Sequence, residues 1–175
     1  MFLPLSAGFV ASATLVTATA TGVGGALDTG PIAVPAAVAL LLVLAVLELT
    51  PVRKSLLLRQ TPRTLPWVFG STWGGLGWGL DTGAMVTTLR TSLGSYATLG
   101  LCLLGFGSGW SGVAYAVGFC VPLALLLYGY RSPASTTGGI AAVTVALLER
   151  IAGQAHRMRL AVAVLMLAAA VAVVV

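Results

Sequence analysis

Charge is what this chain has least of. Of 175 residues, nine are Lys or Arg, four are Asp or Glu and one is His, so charged side chains make up 7%. A soluble domain carries about 25%, because its surface has to be solvated. So few charges cannot cover a soluble protein of this length. The shortage excludes a cytosolic enzyme, a nucleic-acid module and a disordered chain, which needs charge still more. Cysteine is almost as scarce: Cys102 and Cys120 are the only two, and they form no CxxC. His156 is the single histidine and has no Cys or carboxylate neighbour, so no metal site and no cofactor is expected. No GxGxxG, phosphate loop, HExxH or GxSxG string occurs, and GFGSGW at Gly105–Trp110 reads as a turn at a helix entrance.

What is present is apolar length. Hydrophobic residues make up 58%, mean hydropathy is +1.04, and there are 22 glycines. Long apolar runs edged by charge define an all-α, polytopic transmembrane helix bundle in one integral membrane domain, 1–175. The first run, about Leu3 to Ala26, is rich in Ala, Thr and Gly, and no Lys or Arg precedes it. It therefore reads as a retained span and not as a signal peptide. The clearest span is Ile32 to Leu49; beyond Pro51 comes a basic loop with Arg53, Lys54, Arg59 and Arg63. Further spans read as Trp67–Thr88, Leu93–Phe106, Trp110–Tyr128 (with Pro122 inside), a brief Gly138–Leu148, and Leu160–Val175.

Charge decides between seven spans and six. Seven spans with a cytoplasmic N-terminus put Arg53, Lys54, Arg59, Arg63, Arg150, Arg157 and Arg159 inside, leaving Arg90 and Arg131 outside. With six, the last three arginines move out, and Gly138–Arg159 becomes an amphipathic helix on the membrane surface. Lys and Arg accumulate in cytoplasmic loops, which favours seven. The net charge of +5 is then a matter of topology, and no nucleic-acid partner is expected.

FGSTWGGLGWGL from Phe69 is echoed by FGSGWSGVAYAV from Phe106. The coincidences are Phe69/Phe106, Gly70/Gly107, Ser71/Ser108, Trp73/Trp110 and Gly75/Gly112, with an aromatic at Trp78/Tyr115. In the seven-span arrangement 69–80 and 106–117 both open helices leaving the cytoplasm, as a parallel repeat would. Shared interfacial chemistry is the other explanation, since Trp is common where helices enter a bilayer.

Asp81 is the most informative single residue. A carboxylate inside a span costs about 2.5–3.5 kcal/mol on insertion scales, so Asp81 is a candidate polar site. Arg90 lies about 180° around an unbroken helix from it, leaving a broken helix or Arg131 as the route to a partner. The blander reading is an Asp that snorkels to the surface. Gly75, Gly79 and Gly83, spaced by four, form a smooth stripe that admits a neighbouring backbone. Glu48 before Arg53 and Lys54, and Glu149 beside Arg150, read as interfacial ion pairs, and His156 as a solvated loop residue. Cys102 and Cys120 flank a turn near Gly109 at similar expected depth, as a redox pair or as inert packing.

RQTPR (Arg59–Arg63), GLDTGAMVTTLRTSLGSYA (Gly79–Ala97) and the Gly-rich fifth span resemble small membrane proteins of high-GC Gram-positive bacteria over about Arg59 to Tyr130. That resemblance implies a multi-pass protein of the bacterial cell (inner) membrane and brings no activity with it. GVAYAVGFCVPL (Gly112–Leu123) is fainter, and is similar to the DsbD/CcdA electron-carrier superfamily, which implies a bundle of repeats with one redox cysteine in each half. Leu3, Pro4 and Leu5 stand where that superfamily has Cys-Pro in the first span, so its sites are not carried over. Two functions follow as expectations. One is a non-catalytic accessory or structural subunit of a larger membrane complex, with the lipid bilayer and a membrane-protein partner or a second copy around it. The other is a small carrier of electrons, solute or protons.

Overall fold

The computed structural model describes residues 2–27, 29–50, 61, 62, 64–85, 92–129 and 140–175. Among these residues every regular element is helical. They are α1 (Phe2–Leu27), a 3-10 turn (Gly30–Ile32), α2 (Ala33–Leu49), α3 (Leu65–Gly83), α4 (Gly94–Leu101), a π-helical turn (Cys102–Phe106), α5 (Ser111–Gly129) and α6 (Ile140–Val174). Among the described residues three stretches are long and apolar enough to cross a membrane: Phe2–Leu27, Gly30–Leu49 and His156–Val174.

The boundaries have local causes. Thr50 is extended (φ −77°, ψ 153°) because it precedes Pro51, which ends α2. Pro66 sits in the first turn of α3, where its missing N–H costs nothing. Gly70 interrupts α3 with φ 76° and ψ 170°, a conformation that requires glycine.

Two features depart from the seven-span expectation. Residues 140–174 form one uninterrupted helix and not two spans joined by a turn. The stretch LERIAGQAHRMRL has no proline and many helix formers, so its charges do not stop the helix. The third and fourth spans also differ from the expected Trp67–Thr88 and Leu93–Phe106, for α3 stops at Gly83 and α4 has eight residues before the π-helical turn.

Helix directions follow from who meets whom. Gly79 lies against Leu5 and Phe9, and Gly83 against Phe9, so α3 runs in the same sense as α1. Gly112 lies against Ala13, Thr14 and Thr17, while Phe119 stacks on Phe9, so α5 runs against α1. Passing α1 in opposite senses, α3 and α5 do not have the parallel placement expected for 69–80 and 106–117. Leu93 meets Glu48 at the end of α2, and Gly100 meets Leu40 further back, so α4 runs against α2.

The interior divides into two clusters. Phe9, Ala13, Met85 and Ala116 form one, joining α1, the end of α3 and α5. Leu41, Leu44, Ala45, Leu93, Ala97, Ala163, Met166 and Ala170 form the other, joining α2, α4 and α6.

Candidate functional site

Polar chemistry gathers where α3 ends and α4 begins. After Gly83 the chain leaves the helix at Ala84, and Met85 takes a left-handed φ of 64° although it has a side chain. Such a conformation costs about 1–2 kcal/mol. Full burial of the Met85 side chain among Phe9, Ala13 and Ala116 offsets it.

Glu48 supplies the other half of the site. It is fully buried, and its Oε2 accepts the Leu93 N–H at 2.7 Å. Leu93 is the N-cap residue of α4, and the next amide, Gly94 N–H, donates to Ser92 Oγ at 3.2 Å. The first amides of a helix have no partner within the helix and carry its positive dipole end, so a carboxylate there is stabilised twice over. Arg53 and Lys54, the partners expected for an interfacial ion pair, lie outside the described residues. The sequence holds no sign of the bond to Leu93, whose two residues are 45 positions apart.

Asp81 occupies the last turn of α3, half-buried, with its Oδ2 enclosed by protein. Next to it, Thr82 Oγ1 donates back to Trp78 O at 2.7 Å, a satisfied hydroxyl within the turn. The helix break at Gly83–Met85 removes the 180° separation of Asp81 from Arg90 that an unbroken helix would impose. Arg90 and Arg131 themselves lie outside the described residues, as do Arg53, Lys54, Arg59 and Arg63.

The glycine stripe lies on the α1 side. A Cβ on Gly79 would meet Leu5 O and come within 2.8 Å of Phe9 N; one on Gly83 would come within 2.9 Å of Phe9 Cα. Gly8 answers from α1, with its added Cβ 2.9 Å from Leu80 N. Gly75 is buried on the same helix. Close backbone approach of this kind is how small residues hold membrane helices together.

The cysteines are not brought together. The Cys102 carbonyl lies against Gly24 near the end of α1, and its side chain is buried. Cys120 packs against the Phe9 cluster. Gly24 and Phe9 are about 22 Å apart along one helix at about 1.5 Å per residue, far beyond the roughly 7 Å between Cα atoms that a disulfide allows. The expectation of similar depth fails because Cys102 opens the π-helical turn directly below the chain reversal, whereas Cys120 is well down α5.

Similarity to known proteins adds nothing to this picture. No family model, curated protein or solved structure matches the chain.

His156 and Arg157 are exposed on α6 at the start of its apolar stretch, within the helix and not in a loop. The Glu149 and Arg150 side chains lie outside what is described. Among the described residues no group of three or more His, Cys, Asp or Glu could hold a metal.

Proposed function

We propose that the chain is a multi-pass protein of the bacterial cell membrane that acts as an accessory or structural subunit of a larger membrane assembly. The observation that carries this reading is the start of α3. Trp67, Phe69 and Trp73 are 90%, 60% and 71% exposed, whereas Leu76, Gly79, Leu80 and Gly83, further along α3, lie against α1. A helix that buries its glycines against α1 and presents large aromatics outward has packing surface to offer a neighbour, a partner protein or a second copy. Aromatic side chains of this size dominate interface energetics.

Purification in mild detergent with native mass spectrometry tests it. The parent is expected to run as a complex whose extra mass is lost in Trp67→Ala/Trp73→Ala, with the chain itself still folded. A parent that purifies as a single chain of 17.7 kDa sinks the proposal.

The second reading, a small carrier, is supported by the interruption between α3 and α4 with Glu48 and Asp81 beside it. Interrupted helices are the usual place for such sites in transporters. A thiol relay has less behind it, because the two cysteines pack against different parts of α1.

A further inference from the structure

The helix directions bear on how the chain crosses a bilayer. The turn after α1 and the turn before α5 are at one end of the bundle. Thr29 Oγ1 donates to Leu104 O at 3.3 Å, Gly24 lies against Cys102 and Leu103, and Gly107 against Thr21. In the seven-span arrangement residues 28–31 are outside and 107–110 inside, which this bond between them does not permit.

We infer that α3 and α4, with the π-helical turn, are two halves of a single discontinuous pass, so that the chain crosses five times. This rests on the membrane reading above. It gives α1 out, α2 back, α3 and α4 out together, α5 back and α6 out. Residues 71–83 and 94–106 rise about 20 Å each at about 1.5 Å per residue. Stacked end to end they are about as long as α1, 26 residues or about 39 Å, with the break level with Phe9 of α1 and with the end of α2. The break at Gly70 marks where α3 enters this pass.

Two independent features agree. First, non-helical backbone at membrane depth is tolerated only where protein covers it. The two described edges of the break meet that condition: Met85 is fully buried in the Phe9 cluster, and the Leu93 amide at the start of α4 is held by the buried Glu48. Second, the cations sort completely. The α2–α3 connection carries Arg53, Lys54, Arg59 and Arg63, the α5–α6 connection carries Arg131, and Arg150, Arg157 and Arg159 precede or open the apolar stretch of α6. All eight belong to the end where α2 finishes. Arg90 falls in the break, and none is left for the opposite end, a sharper positive-inside distribution than seven spans provide.

The position of Gly109 separates the two arrangements. A Cβ added there meets nothing within 4 Å, so Gly109→Cys is tolerated. In full-length chain carrying Cys102→Ala and Cys120→Ala, single cysteines at Thr29, Thr50 and Gly109 are labelled with a membrane-impermeant maleimide, in intact cells and in inverted vesicles. Gly109→Cys is expected to label from the same side as Thr29→Cys, with Thr50→Cys on the other. Labelling of Gly109→Cys with Thr50→Cys, or protection of Gly109→Cys from both sides, overturns the five-pass arrangement. A chain recovered in the soluble fraction overturns the membrane reading itself. If the cysteine-free chain does not accumulate, the same substitutions are read in the parent, whose native-cysteine labelling is subtracted as background.

Discussion

The two interior clusters solve one problem in different ways. Between α1, α3 and α5 the helices meet through backbone: Gly8, Gly79, Gly83 and Gly112 let main chains touch, and Phe9 fills the remainder by stacking 4.3 Å from Phe119 and 5.9 Å from Tyr115. Between α2, α4 and α6 the helices meet through side chains, with Leu41, Leu44, Met166 and small alanines interleaved, and with one buried carboxylate at the edge. In lipid the hydrophobic effect does not drive helices together, so association rests on dispersion and hydrogen bonds. The first cluster maximises dispersion by removing side chains. The second keeps them and adds a charge-assisted hydrogen bond, among the stronger kind.

Substitutions can separate the two solutions. The largest effect is expected at Gly79, where no larger side chain fits against Leu5 and Phe9 without parting the helices. Gly79→Leu is expected to cost about 3 kcal/mol or more, at the upper end for overpacking, seen as loss of the cooperative melt followed by circular dichroism in detergent. A parent-like melt would mean that α1 and α3 can separate freely. Next comes Glu48→Ala, which leaves the Leu93 N–H buried without its acceptor at a cost of about 1–3 kcal/mol. Glu48→Gln keeps an acceptor and is expected to recover most of that loss. Equal damage from both variants would place the effect in the charge and not in the hydrogen bond. The smallest effect is expected at Gly118, on the same helix as Gly112 but with open space at its Cβ. Gly118→Ala is expected to be neutral or stabilising by up to about 1 kcal/mol through helix propensity. A marked loss there would show that glycine matters in α5 for more than contact.

How much of this was readable in the sequence follows from what hydropathy measures. A window over AVALLLVLAVLEL reports a long apolar helix whatever surrounds it, so α1, α2 and the all-helical class were legible. The spacing of Gly75, Gly79 and Gly83 was legible for a similar reason, since a four-residue period defines a helix face by itself. The interruption at Gly83–Met85 was not, because Met85 is held in its left-handed conformation by Phe9, Ala13 and Ala116 from two other helices. Nor was the role of Glu48, whose acceptor geometry exists only once α4 is in place. The first half of α6 misled in the opposite direction. Glu149, Arg150, His156 and Arg157 look like loop chemistry, yet a helix can carry charge along its length when nothing in its backbone stops it.

The bond between Glu48 and Leu93 also sets an order of events. The two residues are separated by 45 positions. At a synthesis rate of about 5–20 residues per second, the donor emerges about 2–9 seconds after the acceptor. During that interval the nascent chain holds a carboxylate at the tip of its most apolar segment, and the short α4 that will receive it has not yet been translated. The Leu93 amide can therefore be matched to its acceptor only after the second half of the chain has begun to emerge.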